Sequence, residues 1–246
     1  MKYSPTDLAY YNRGEGVPGI LFNNINSSIN TVLFPVLSKL QDDKDAVRRA
    51  LSRSMQMASF VLMPALLGLA AVSENFVEIL YTSKWTATIP FMQVICVMNC
   101  FDLLGAANIQ ALKAVGRADT LLKLEVYKKP LMLTILVGCM FISPLAIAIG
   151  QLVYSLIALA INAYPNRKYV NYPLKDQFMD ISRSLLTATS MAVVVYMIGK
   201  LPLNIYLLLG IQVVVGIILY VILARLFNND SFVEVMQLVK SKFHKK

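Results

Sequence analysis

The chain has one histidine, one tryptophan and three cysteines among 246 residues, and only 15% of its residues are charged. The histidine, His244, stands in a basic C-terminal tail, so a histidine-centred metal site or histidine-based catalysis has no material. Cys96, Cys100 and Cys139 follow no metal-binding spacing and form no disulfide framework. Cys96 and Cys100 lie one turn apart in an apolar stretch and read as small packing residues. No glycine-rich phosphate loop and no carboxylate pair suited to acid–base work occurs, so neither a catalytic residue nor a cofactor is expected. Residues 1–16 carry Lys2, Asp7, Arg13 and Glu15 and lack the apolar core of a cleavable signal peptide. The shortage of charge excludes most. A soluble domain covers its core with about 25% charged residues. Here 57% of residues are hydrophobic and mean hydropathy is +0.60, which leaves too little polar surface to face water. Lipid is the expected solvent.

What is present is a series of long apolar stretches. Each membrane span needs about 20 apolar residues, and the charge-poor windows fall near 17–38, 55–73 and 86–112. Residues 130–165 carry no charge at all. As one helix they would be about 54 Å long, too long for a single crossing. Ser143-Pro144 supplies a break, giving spans near 127–142 and 145–164. Two more follow near 184–199 and 203–224, joined through Lys200-Leu201-Pro202. The predicted fold class is all-α: a polytopic helical membrane protein with about seven transmembrane helices. Its organisation reads as an outer-face segment 1–16, a transmembrane bundle 17–165, a cytoplasmic loop 166–183, a final helix pair 184–224 and a basic tail 225–246.

Basic residues decide the orientation. Nineteen of the 23 Lys and Arg fall after the first, third, fifth and seventh spans, while the alternate gaps hold only Lys84 and Lys200. Basic loops stay on the cytoplasmic side, so the C-terminus is expected there and residues 1–16 outside. Beside apolar spans, these cations serve as helix-end anchors to membrane lipids rather than as a nucleic-acid surface. Trp85 is placed as an outer interfacial anchor, and residues 74–81 as a short helix along that interface. Asp42 and Asp43 mark a helix start ahead of the second span. Phe232, Met236, Val239 and Phe243 recur at helical spacing and predict a membrane-surface helix in the tail. An outer N-terminus and an odd number of spans fit the latter part of a longer protein, or a short tail translocated unaided.

Polar residues inside apolar spans are expensive and carry the functional signal. Asn23, Asn26, Ser27 and Asn30 fall within about 100° of one helical face, widened by Asn24 and Thr31. Two readings stand: interhelical hydrogen bonds that hold the bundle, or one wall of a hydrated cavity, where amides suit sugar hydroxyls because they both donate and accept. Asn99, Asp102 and Gln110 share a face of the third span. Asp102, near mid-membrane, is a candidate for coupling to H⁺ or Na⁺ or for contact with a substrate headgroup. A structural hydrogen bond to Asn99 or a neighbouring helix is the other reading. Asn108, on the opposite face, reads as structural; Gln151, Asn162 and Gln212 read as helix-packing residues. Lys123, Glu125, Lys128 and Lys129 read mostly as an interfacial anchor, with contact to anionic lipid phosphates as the other reading; position alone does not separate the two.

Ordered strings then carry a resemblance. Leu8-Ala-Tyr-Tyr-Asn-Arg13 with Val17-Pro18, Val32-Leu-Phe-Pro-Val-Leu-Ser38 and Gln41-Asp-Asp43 are followed by Pro64-Ala-Leu-Leu-Gly68, Lys84-Trp85, Ile109-Gln-Ala-Leu112, Gly116-Arg117-Ala-Asp119 and Leu122-Lys-Leu-Glu125 with Lys128-Lys129. Together they resemble the bacterial polysaccharide-export flippases of the multidrug/oligosaccharidyl-lipid/polysaccharide exporter superfamily, of the lipopolysaccharide or teichuronic acid biosynthesis type. The resemblance implies a MATE-like fold of about fourteen helices in two lobes, of which this chain would supply the second lobe and the final two helices. It further implies flipping of undecaprenyl-diphosphate-linked oligosaccharide across the bacterial plasma (inner) membrane by alternating access, with other polysaccharide assembly proteins as partners. Arg13 is the nearest candidate here for holding the diphosphate, although its outer-face position suits initial binding poorly. Rival readings are a multidrug exporter on the same fold, a membrane-embedded sugar polymerase or glycosyltransferase, and a non-transporting fragment. No outer loop is long enough for the polymerase.

Overall fold

The computed structural model describes residues 4–227 and Val233. Seven α-helices form among them, with no strand: α1 (Pro5–Lys39), α2 (Lys44–Tyr81), α3 (Ile89–Ala114), α4 (Ala118–Met140), α5 (Pro144–Tyr169), α6 (Leu174–Ile198) and α7 (Ile205–Phe227), with a short 3₁₀ turn at Ser83–Thr88 before α3. The tail positions Phe232, Met236, Val239 and Phe243 lie outside the described residues.

Local chemistry sets the helix ends. Ser4 and Asp7 form a reciprocal capping box ahead of Pro5. Asp43 caps α2 by accepting from the Asp45 and Ala46 amides, each at 3.0 Å. At the end of α3, Gly116 adopts φ 72°, and the Arg117 amide donates to the Leu112 carbonyl at 2.9 Å. That left-handed step closes a Schellman motif which a side chain would strain. The break read at Ser143-Pro144 is the α4–α5 turn, where Ser143 Oγ accepts from the Ala146 amide at 3.0 Å with Pro144 at the first helical position.

α2 and α3 form the middle of the bundle. α1 and α5 pack on α3, α6 packs on α2, α4 leans on α5, and α7 packs on α6 and α2. One apolar cluster runs through Leu62, Met63, Leu66, Met92, Leu104, Ile181 and Met191. A second, at the end we term the basic end, gathers Leu33, Leu37, Val47, Leu51, Ala111 and Tyr172. The outside is also apolar: Val214, Ile217, Ile218, Val221 and Ile222 of α7 are exposed. A surface of that kind belongs in hydrocarbon. The chain is an integral, multi-pass membrane protein.

Five stretches are long and apolar enough to cross a membrane: Lys44–Tyr81, Ser83–Ala114, Pro144–Tyr169, Leu174–Ile198 and Ile205–Phe227. α1 and α4 are as long as a span but carry more polar side chains, the Asn and Ser stripe in one and five charged residues from Asp119 to Lys129 in the other. Residues 74–81 are not a separate interfacial helix. They complete α2, because no Gly or Pro interrupts the chain there, and the turn comes only at Thr82, with φ 72°. Between α5 and α6 only residues 170–173 are non-helical; α5 continues through Pro165 to Tyr169.

Candidate functional site

α1 places its amides on the outer side of the bundle. Asn23 and Ser27 are exposed, and Asn26 and Asn30 are half-buried. Hydroxyls on this helix turn back to their own backbone: Ser27 and Ser28 donate to the Asn24 carbonyl at 3.1 and 2.7 Å, and Thr31 to the Ser27 carbonyl at 2.8 Å. Asn30 Nδ2 donates to Asn26 Oδ1 at 3.3 Å, while Asn30 Oδ1 is buried with no partner among the described residues. These bonds all stay within α1. They satisfy hydroxyls locally and leave the exposed Asn23 and Asn24 amides facing outward, on a surface otherwise built for lipid.

Asp102 sits elsewhere, turned from α3 toward α5, where Ser155 Oγ donates to its carboxylate. Of the two structural partners weighed for it, the neighbouring helix is the one found. The pair borders a cavity of about 340 Å³ between α3, α4 and α5, lined also by Met98, Met132, Gln151 and Tyr154. Gln151 accepts from the Tyr11 hydroxyl at 2.7 Å, tying α5 to α1. Asn99 on α3 is buried and Gln110 half-buried. Asp102 and the α1 amides thus form two separate polar systems, joined through α3 and the Tyr11–Gln151 bond. Gln212 packs helices as expected, accepting from Asn75 of α2 at 2.8 Å and donating to the Val195 carbonyl of α6 at 2.9 Å.

Arg13 is engaged by aromatic rings. Its guanidinium lies 5.3 Å from the Tyr81 ring centre and 5.2 Å from that of Trp85, and Tyr10 meets Trp85 edge-on at 5.7 Å. Trp85 therefore closes the start of α1 against the end of α2. The charge run on α4 also divides: Lys128 is buried and paired with Glu125 at 2.5 Å, while Lys123 and Lys129 remain exposed.

Reading the sequence missed the most developed polar network, at the basic end. Asn108 and Gln177 exchange amide bonds at 2.8 and 2.9 Å, and Asn166 Nδ2 donates to Asn108 Oδ1 at 2.7 Å. All three side chains are fully buried. One residue loop away, Asp180 accepts from Ser52 and Tyr172 at 2.5 Å and from Gln56 at 2.9 Å, and Arg48 pairs with Asp176 at 2.7 Å. Burial pushes the Tyr172 phenol well above its ordinary value, and the Asp180 carboxylate adds to the rise, so the hydroxyl stays a donor. Asn166 and Gln177 lie beyond the charge-free windows, which is why hydropathy alone assigned them to a loop. The one usable signal was amide content flanking Pro165 and Pro173. Among the described residues, no group of His, Cys, Asp or Glu is placed to hold a metal ion.

The geometry has a counterpart. The structure matches the lipid II flippase MurJ in an inward closed conformation with a TM-score of 0.76, over 93% of this chain and 48% of that one, at 19% sequence identity. The chain thus has a flippase-like membrane fold. Its sequence narrows this further. Residues 1–90 match the family described as polysaccharide biosynthesis protein. The lipopolysaccharide biosynthesis protein WzxC of Escherichia coli (strain K12) is 31% identical over 148 residues, 60% of this chain and 30% of that protein. The teichuronic acid biosynthesis protein TuaB of Bacillus subtilis (strain 168) is 30% identical over 112 residues, 46% of this chain and 23% of that protein. The chain is therefore similar in sequence to polysaccharide biosynthesis proteins and in fold to a lipid flippase. The aligned regions span under a third of these two relatives.

Proposed function

We propose that the chain forms part of a transporter that moves undecaprenyl-diphosphate-linked oligosaccharide across the bacterial plasma membrane by alternating access, without a covalent step. The observation that carries this reading is the outward-facing amide stripe of α1, on a bundle whose fold resembles half of a lipid flippase. A sugar headgroup crossing hydrocarbon loses its hydrogen bonds to water unless the path replaces them. Side-chain amides replace both kinds, donor and acceptor. In a two-lobed carrier, the face bearing Asn23, Asn26, Ser27 and Asn30 lines the gap between lobes, and rocking of one lobe against the other exposes it to each side in turn. Asn99 and Gln110 add polar groups on α3. The basic end, with Lys39, Arg49, Arg117 and Lys175, faces the cytoplasm in this reading, because cytoplasmic loops retain the positive charge.

Asp102 is the proposed coupling group for H⁺ or Na⁺. A carboxylate bordering a cavity with a single hydroxyl donor has capacity for a proton or a cation. Inverted membrane vesicles containing the protein and a labelled undecaprenyl-diphosphate oligosaccharide test the whole reading. Label should enter the vesicle interior faster than in protein-free vesicles, and Asn23/Asn26/Asn30→Leu should abolish the difference. Entry at the protein-free rate would refute transport by this chain. Full activity in both Asp102→Asn and Asp102→Ala would remove Asp102 from coupling.

A further inference from the structure

An open cleft of about 970 Å³ lies between the N-terminal half of α4 and the C-terminal half of α5, at the basic end and apart from the amide stripe and the Asp102 cavity. Lys123, Arg167 and Lys168 line its rim, against one carboxylate, Asp119. Among the described residues none of the three cations has a carboxylate within 4.0 Å; only the Lys168 ammonium has a partner, the Tyr169 ring at 5.8 Å. Arg117 stacks on the same ring at 4.7 Å and adds a fourth positive charge beside the cleft.

Cations at the end of a membrane helix commonly do no more than anchor it. This cleft has two further properties. Its floor is apolar, formed by Leu124, Ile157 and Ile161 of the two helices, of which α5 is long and apolar enough to cross a membrane. Its sides carry two tyrosines that are 72% and 77% exposed, Tyr127 and Tyr164. A soluble anion needs the rim and gains nothing from the floor. A phospholipid uses both: phosphate against the cations, phenols at the glycerol level, acyl chain along the floor. The volume falls within the roughly 300–1,000 Å³ of small-molecule sites.

We infer that the α4–α5 cleft is a binding site for the phosphate headgroup of an anionic glycerophospholipid, held by Lys123, Arg167 and Lys168. The site is independent of the transported molecule, so it stands or falls separately from flipping. Native mass spectrometry of the purified chain, titrated with phosphatidylglycerol or phosphatidylcholine, reads it directly. Each cation near an anionic headgroup contributes about fivefold in affinity. The wild-type chain should retain phosphatidylglycerol at least tenfold better than phosphatidylcholine. Lys123→Gln/Arg167→Gln/Lys168→Gln should lose at least tenfold in that binding. A variant with the same charge change on other exposed residues of the basic end, Lys39→Gln/Arg49→Gln/Lys175→Gln, should stay within twofold of wild type. Circular dichroism checks that both variants keep their helices. Equal retention of the two lipids by the wild type, equal losses in the two variants, or no loss in the cleft variant would overturn the site. So would capture of farnesyl diphosphate in preference to phosphatidylglycerol, which would reassign the cleft to polyprenyl diphosphates.

Discussion

Replacing Asn108 with leucine keeps the branched heavy-atom skeleton of the side chain and deletes the hub of the buried network at the basic end. Asn108 Nδ2 donates to the Leu104 carbonyl at 2.9 Å and to Gln177 Oε1 at 2.8 Å, and its Oδ1 accepts from Asn166 at 2.7 Å and Gln177 at 2.9 Å. Two of the former partners keep something: Gln177 Nε2 still reaches the Tyr172 carbonyl at 3.2 Å, and Asn166 Nδ2 the Asn108 carbonyl at 3.2 Å. Gln177 Oε1 keeps no donor from Asn108 and is fully buried. An orphaned buried acceptor costs about 1–3 kcal/mol, and interhelical bonds in membranes average about 0.6 kcal/mol each. With the two other interhelical bonds also lost, the expected loss for Asn108→Leu is about 2–4 kcal/mol. Gln177→Leu should cost a similar amount. The double variant should cost about 1 kcal/mol less than the sum, because removing both partners leaves no orphan between them. Equilibrium unfolding in mixed detergent micelles, followed by circular dichroism, measures all three. Additivity within about 0.3 kcal/mol would show that the two amides do not depend on each other, and would refute the network as an energetic unit.

Gly14→Ala should destabilise the bundle by about 1–3 kcal/mol in the same assay, because the added carbon would lie 2.9 Å from Phe91 Cβ and 3.0 Å from the Met92 backbone nitrogen, neither of which can swing away. Tyr172→Phe should cost about 1–2 kcal/mol through the lost bond to Asp180. Since the folded phenol titrates above its unfolded value of about 10, that difference should be constant below ~pH 9 and shrink as pH rises past 10, when the unfolded chain gives up its proton first. Arg13→Ala should change the emission of Trp85, the only tryptophan, and lower stability by about 0.5–1 kcal/mol; an unchanged spectrum would refute the stacking.

Much of the helix pattern was legible because lipid imposes a simple rule. A long run without charge is helical, five of the seven described helices are apolar enough to cross, and Ser143-Pro144 breaks the longest run at a turn. The same rule hides whatever lies beyond the charge-free windows. Asn166 and Gln177 fell into a loop by hydropathy, although a helix carries the first through Pro165 and a tight four-residue link delivers the second to Asn108. Helical spacing put Asn23, Asn26, Ser27 and Asn30 on one face, and they do share it. Spacing is silent about what that face meets, since an inward and an outward amide stripe have the same period. Lys128 illustrates the converse: in a row of cations nothing marks the one that is buried while pairing with the exposed Glu125 one turn before it. Residues 74–81 misled through composition, because an amphipathic segment reads the same whether it lies flat or continues a helix upward.

The amide and carboxylate knot at the basic end has a mechanical consequence. Short side chains bonded in pairs have no slack, so α2, α3, α5 and α6 cannot slide past one another there without breaking several bonds together. That end acts as a fulcrum. Flexing of these helices relative to one another is left to the far half of the bundle, where the polar ties among the described residues are more scattered: the Gln93–Ser73 bond, the exposed Glu74–Lys200 pair and the Gln212 bridge.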